Sequence, residues 1–334
     1  MVRLVPRLEL NVVTGFLGSG KTTMLKRFLA SQPAGTTLVI INEFGRESID
    51  DHLTLHLMSE IKTISDGCLC CTVLDDLRLT LLDILGRRAR GEFASLQRIV
   101  IETSGLAEPA PILATVLEDE NLNEYLQIGP CVATFDALEG IESAGRFEEA
   151  AAQLAAADRI VITKLDLIDD IAAEQVRQSV RELNPSCDVV EEVVPQLMFD
   201  HANMVLRSHQ TPGERTLPSH QHSHGVSSFS IAVSDPLDWA TFSVWLTALL
   251  NRHGQRILRF KSVLVSPSDG SRLTVQGVRH RVYPPTHLPA IGANDDGKSR
   301  LVFITQGIEE ALVRDSLRRF SEYSRGAFAP LINV

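Results

Sequence analysis

Two short segments of this chain carry residue types that chemistry needs at fixed spacing. The first runs Gly15, Phe16, Leu17, Gly18, Ser19, Gly20, Lys21, Thr22 and fits G-x-x-x-x-G-K-S/T between an apolar run and a helical pattern. Glycines let successive backbone N–H groups turn toward phosphate oxygens, Lys21 brings a point charge to the β and γ phosphates, and the Thr22 hydroxyl can coordinate magnesium. The second segment, Gly67, Cys68, Leu69, Cys70, Cys71, offers three thiolates within four positions. Thiolates select zinc, cuprous copper or iron–sulfur clusters over magnesium and calcium. Three ligands leave one position open for water, for Glu43, for a histidine or for a residue of another protein. Thiol redox chemistry and simple packing of the thiols are the competing readings.

A phosphate site needs a second element at the end of a neighbouring strand. The run 98–101 ends in Glu102, Thr103, Ser104, Gly105, where Glu102 can hold magnesium, through water, and the Gly105 N–H can sense a γ-phosphate. Thr163, Lys164, Leu165, Asp166 follow another apolar run at the place where the base is read. The Asp166 carboxylate can accept from guanine N1 and N2, whereas adenine offers no donor at either position. The Lys164 stem can pack along the base. GTPases usually have Asn where this chain has Thr163. The nucleotide set expected from the motifs is Gly15, Gly18, Ser19, Gly20, Lys21, Thr22, Thr23, Gly105, Thr163, Lys164 and Asp166. Lys21, Glu43 and Glu102 are the catalytic candidates, and no Gln or arginine finger for activating water is evident, so slow intrinsic hydrolysis is expected.

These segments require a scaffold. From Leu8 to about Asp188 short β-branched runs alternate with helical patterns, the signature of a parallel sheet with crossover helices. Strands are expected at Leu8–Thr14, Thr37–Asn42, Arg98–Glu102, Cys131–Phe135 and Arg159–Thr163, each apolar enough for burial on both faces. The functional residues follow their C-terminal ends, the edge where open α/β sheets bind ligands. Between about 196 and 225 the pattern breaks into prolines, Gly213 and histidines, reading as a linker or loop. Beyond it come a strand at Val226–Val233, a helix at Leu237–Asn251 with Trp239 and Trp245, three strand-like runs and a final helix near Ile308–Phe320. The expected fold is a mostly parallel α/β P-loop NTPase flanked by helices over 1–205, a His-containing linker over 206–225 and a smaller C-terminal α+β domain over 226–334.

Composition bounds the partners. With 334 residues, 44% hydrophobic and 22% charged, two domains are the expectation, and a formal charge of −10 disfavours nucleic acid and anionic lipid. No stretch approaches the roughly 20 apolar residues of a membrane span, nor is a signal-peptide pattern seen at Met1–Pro6, so a cytoplasmic protein is expected. Five cysteines in a reducing compartment favour metal or redox chemistry over disulfides. Cys131 and Cys187 lie on apparent strands and read as core. His220, His222 and His224, with His201 and His209 upstream, could form an auxiliary metal-collecting arm or a solvated linker. His52 and His56 read as a surface face, and the alanine-rich tract 150–157 is a compositional oddity with no assigned role.

Taken together the motifs resemble the CobW-type family of metal-linked P-loop GTPases, relatives of the nickel-handling urease and hydrogenase accessory GTPases. The resemblance extends to Asn42, Glu43, Phe44, Gly45, to the cysteine segment, to Glu102 through Pro109, to the His-rich tract and, more softly, to 258–261, 275–278 and 300–304. It implies GTP hydrolysis with Mg2+ coupled to delivery of a metal, zinc or else cobalt, to a client metalloprotein, with self-association left open. After Gly45 the family carries an acid, whereas Arg46, Glu47 and Ser48 stand here. Three other functions compete: a non-catalytic metal sensor or store, an accessory GTPase loading cobalt or iron, and a small-molecule kinase, which Asp166 disfavours.

Overall fold

The computed structural model describes residues 6–41, 61–63, 71–191, 195, 198–200, 220–221, 225–233, 237–266, 270–288 and 297–328; of 61–63, 71–73, 220–221 and 325–328 only the backbone is described. The chain divides into two compact units, one of Met1–Arg181 with Cys187–Ser208, the other of Glu182–Ser186 with His209–Val334.

The first unit is a parallel sheet. Its strands are β1 (Leu8–Gly15), β2 (Thr37–Ile41), β3 (Ile61–Thr63), β4 (Arg98–Glu102), β5 (Leu126–Asp136), β6 (Arg159–Thr163) and β7 (Asp188–Val190), in the order β3-β2-β4-β1-β5-β6-β7. Every neighbouring pair is parallel. Helices connect them, as parallel strands require: α1 (Lys21–Leu29), α2 (Cys71–Ala89), α3 (Pro109–Glu118), α4 (Glu120–Tyr125), α5 (Gly140–Arg146), α6 (Glu148–Ala156) and α7 (Asp170–Leu183). Val12 and Val13 of β1 are wholly buried, and Met24, Leu25 and Phe28 of α1 pack with Val13, Val39, Val100, Val132 and Val161. β1 lies between β4 and β5, where the winding of the sheet reverses; the crevice at that point opens above the C-terminal strand ends.

The strand bounds of β1, β4 and β6 agree with the sequence reading to within a residue. β5 starts five residues earlier than expected because Gly129 and Pro130 do not end it. The register slips there, Leu10 facing Ile128 and Val12 facing Cys131, so β5 carries one extra residue in a bulge. Asn11 Nδ2 donates to the Pro130 carbonyl at 3.3 Å, and a Cβ on Gly129 would lie 2.2 Å from that nitrogen. β3, three residues long, was not anticipated, and β7, equally short, was foreseen only as the apparent strand at Cys187. Cys131 is buried in β5 as expected, whereas Cys187 precedes β7 and is half-buried.

In the second unit an antiparallel sheet has the order β12-β11-β10-β14-β9-β8, with β13 pairing β11. The strands are β8 (His220–Gln221), β9 (Val226–Val233), β10 (Ile257–Val265), β11 (Arg272–Val278), β12 (Arg281–Val282), β13 (Thr286–Leu288) and β14 (Ser299–Gln306). Five strands therefore follow the first helix of this unit, among the described residues, where three were expected. β8 pairs with Ser227 and Ser228 of β9, so part of the stretch read as linker is strand. Helices α8 (Trp239–His253) and α9 (Glu310–Phe328) supply Phe242, Trp245, Leu249, Val313 and Leu317 to a core with Phe229, Phe260 and Phe303. α8 begins two residues later than expected because Asp238 caps it, accepting the Thr241 N–H at 2.9 Å. Among the described residues no helix is long and apolar enough to cross a membrane.

Candidate functional site

The turn from β1 into α1 can be made only with glycine at its corners. Gly15 has φ 140°, and a Cβ there would sit 2.4 Å from Thr134 Oγ1. Gly18 and Gly20 have φ of 71° and 93°, in the left-handed region that side-chain-bearing residues avoid. The loop is braced from two neighbouring strand ends. Ser19 Oγ donates to the Phe16 carbonyl at 2.7 Å and lies 2.7 Å from Thr134 Oγ1 of β5, while Thr163 Oγ1 of β6 donates to the Ser19 carbonyl at 2.9 Å. Ser19 and Thr163, both expected to meet nucleotide, thus spend their hydroxyls on holding the loop. Lys21 Nζ reaches over the loop to the carbonyls of Gly15 and Phe16 at 2.8 and 3.1 Å. At the start of α1 the N–H groups of the first turn have no carbonyl one turn back to bond, and the helix dipole adds positive potential there.

The loop expected to be the second phosphate element stands beside the first. Thr22 Oγ1 donates to Glu102 Oε1 at 2.6 Å, and Glu102 is 3% exposed at the end of β4. The loop beyond it is tied to β1: the Thr103 N–H donates to the Val13 carbonyl at 2.9 Å and its hydroxyl to Thr14 Oγ1 at 3.0 Å. Gly105 lies so close to the first loop that a Cβ would come within 2.6–2.9 Å of Leu17 atoms. A hydroxyl and a carboxylate 2.6 Å apart beside a lysine make a hard-oxygen pair that fits magnesium, which usually keeps several waters and takes one or two protein ligands.

Where the sequence reading expects the base there is a cavity of about 600 Å³ lined by Gly20, Thr23, Arg27, Thr163, Lys164 and Asp166, with Glu191 among its other walls. Lys164 has φ 60°, a left-handed conformation rare for a long side chain, which turns the chain sharply out of β6 into the 3-10 turn Leu165–Leu167 that carries exposed Asp166. Lys164 Nζ pairs with Asp136 Oδ2 at 2.5 Å. Asp136 is 7% exposed and also accepts the Leu138 N–H at 2.9 Å. Glu191 is held by Arg177, with contacts of 2.5 and 3.0 Å, and those hydrogen bonds keep its carboxyl below the usual range.

The structure therefore brings Lys21, Thr22, Glu102 and Gly105 together at one end and Gly20, Thr23, Thr163, Lys164 and Asp166 at the other. Glu43, Cys68, Cys70, His222 and His224 lie outside the described residues, as do His52, His56, His201 and His209. Cys71 is the first residue of α2, and His220 is in β8, with neither side chain described. Asp136 was missed by the sequence reading. The signal was there: an acid ends the buried β5 run on the ligand edge, as Glu102 ends β4.

A P-loop, an acidic loop beside it and a neighbouring cavity at the C-terminal strand ends of a parallel sheet define a P-loop nucleotide-binding protein. Residues 9–191 match the family model "CobW/HypB/UreG, nucleotide-binding domain", and residues 226–321 match "Cobalamin synthesis protein cobW C-terminal domain". The chain belongs to the CobW/HypB/UreG family. It is 31% identical over 283 residues to the zinc chaperone YjiA of Escherichia coli strain K12, covering 83% of this chain and 87% of that one. It is 30% identical over 358 residues to the zinc chaperone CobW of Pseudomonas aeruginosa, covering 95% and 92%. The crystal structure of the Zn(II)-bound YjiA GTPase from E. coli superposes with a TM-score of 0.72 at 26% identity, covering 95% of this chain and 99% of that one.

Proposed function

We propose that this chain is a GTP-hydrolysing metallochaperone that carries zinc, or a related metal such as cobalt, on Cys68, Cys70 and Cys71 and passes it to a client metalloprotein under nucleotide control. The observation that carries the nucleotide half is the placement of Thr22 against Glu102 at 2.6 Å beside Lys21, with Asp166 on the wall of the cavity at the other end. The zinc half rests on the chemistry of three clustered thiols and on the zinc chaperones among its relatives.

Lys21 and the N–H groups at the start of α1 bind the β and γ phosphates. Thr22 and Glu102 would hold magnesium, which would supply neutralisation of the phosphate charge. Gly105 reads the γ-phosphate through its N–H, Glu43 orients the attacking water or would help hold magnesium, and Asp166 selects guanine by accepting from N1 and N2. Lys164, steered by Asp136, lies along the base. Catalysis comes from positioning and electrostatics, without a covalent intermediate. The thiolates need a reducing compartment, which agrees with a cytoplasmic site of action. His220, His222 and His224 serve as auxiliary imidazoles for incoming metal.

The test combines two readouts on the full chain. Wild-type protein is expected to bind one zinc tightly and to hydrolyse GTP slowly in preference to ATP. The C68A, C70A, C71A protein is expected to lose the tight zinc while keeping GDP affinity. Stoichiometric tight zinc in the triple variant would sink the cysteine assignment, and an ATP preference with a phosphorylated small-molecule product would sink the GTPase assignment.

A further inference from the structure

The alanine-rich tract is α6, and its seven residues from Ala150 to Ala156 are all buried. Gln153 is the one polar residue in that run and is 0% exposed. Burying a carboxamide among alanines is costly unless its donors are used. Both are used on one loop: Nε2 donates to the Gly105 carbonyl and to the Ala107 carbonyl, each at 3.0 Å. Because both partners are carbonyl oxygens, the NH2 end of the amide must face the loop. Oε1 is buried and accepts no hydrogen bond from any described residue. An apolar side chain in its place would leave the Gly105 and Ala107 carbonyls without these donors, so the amide is tied to the loop rather than to its own helix.

The same helix touches the other phosphate loop. Phe147, which precedes α6, stacks on Phe16 at 4.8 Å between ring centroids. Gly105 is itself pressed on Leu17, so position 105 is fixed from one side by the P-loop and from the other by Gln153.

We infer that Gln153 is a positioning residue for triphosphate recognition: by holding the carbonyls of Gly105 and Ala107 it sets the path of the loop whose Gly105 N–H meets the γ-phosphate. This rests on the nucleotide assignment above. Without the two donors the loop would have to be ordered when the triphosphate binds, and that cost falls on GTP alone, since GDP carries nothing for Gly105 to meet.

The test is Gln153→Met, which keeps length and volume but removes the donors, with Gln153→Asn, shorter and still polar, measured beside it. Affinities for a non-hydrolysable GTP analogue and for GDP, both with Mg2+, are determined on the full chain. For the Met variant the analogue is expected to bind about tenfold more weakly, the loss of two positioning hydrogen bonds, with GDP affinity unchanged within about twofold. Hydrolysis in a single turnover should fall in parallel. The Asn variant cannot reach both carbonyls and should show the same one-sided loss, so it carries the test if the Met variant does not fold. Equal weakening of both nucleotides would reduce Gln153 to a packing residue, and no change in either would overturn the inference outright. If wild-type protein bound neither nucleotide, the nucleotide assignment itself would fall and this inference with it; wild-type binding with an unaltered ratio in the variants sinks the inference alone.

Discussion

Lys164 Nζ sits 2.5 Å from Asp136 Oδ2, joining the C-terminal ends of β5 and β6, where Asp136 is in register with Thr163. The pair fixes a side chain that starts from a left-handed backbone and that the proposed function lays along the base. Lys164 is about one-third exposed, so solvent screens the pair and its contribution is modest. Asp136→Asn preserves the hydrogen bond from the Leu138 N–H but removes the charge. It is expected to weaken GTP and GDP equally, by about two- to fivefold, in a fluorescence titration. Weakening of GTP alone would show that Asp136 acts at the phosphates instead.

Asp166 makes a sharper forecast. An amide in its place presents both an acceptor and a donor, so Asp166→Asn should lose guanine affinity by roughly 30- to 100-fold through the mismatch with N1 and N2 donors. The same variant should gain affinity for xanthosine nucleotides, whose position 2 carries a carbonyl that an amide can donate to. Competition binding with GDP and XDP decides it. Unchanged preference would mean that this exposed carboxylate does not read the base.

Glu102→Gln keeps the size and an acceptor for Thr22 but loses the negative charge that the proposed magnesium site requires. Turnover should drop on the order of 10²-fold, with GDP binding reduced far less. Multiple-turnover phosphate release, measured against Mg2+ concentration, tests this; wild-type turnover in the variant would remove Glu102 from the metal site.

Away from the site, Asp119 caps α4, accepting the N–H groups of Asn121 and Leu122 at 2.9 and 3.0 Å and pairing with Arg78. The hydrogen bond from Leu122, with the Arg78 contact, holds its carboxyl below the ordinary value despite opposing burial. Because the folded form binds the proton less tightly than the unfolded form, the stabilisation is complete above the ordinary carboxylate pKa of about 3.9 and fades as pH falls through the lower folded value. Asp119→Ala should therefore cost about 1 kcal/mol at pH 7, much less near pH 2.5, in urea unfolding. An equal cost at both values would show that packing, not the charge, carries the cap.

Much of this architecture was legible because its signals are local. The P-loop glycines announce a backbone that only glycine can follow, and four buried strand runs were bounded to within a residue as far as the described residues extend. β3 escaped because three residues carry no periodicity, β7 was seen only as an apparent strand at Cys187, and the start of β5 escaped because a bulge lets Gly129 and Pro130 stay inside a strand. Ser19 and Thr163 read as ligand contacts, yet their hydroxyls are taken up in bracing the loop, a distinction that depends on long-range packing against Thr134 and Phe135. Gln153 was invisible for the same reason: nothing in an alanine-rich helix shows which loop its single amide will meet.

Nucleotide control of the metal is read most directly from zinc affinity in the two nucleotide states. Zinc affinity is measured by competition with a chromogenic chelator under reducing conditions, with the protein saturated by a Mg-GTP analogue or by Mg-GDP. Binding at least about tenfold tighter in the triphosphate form, a coupling near 1.4 kcal/mol, is the expected result, and by linkage zinc must then favour GTP over GDP by the same factor. Equal zinc affinity in the two states would contradict nucleotide-controlled delivery and leave a metal store or sensor in its place.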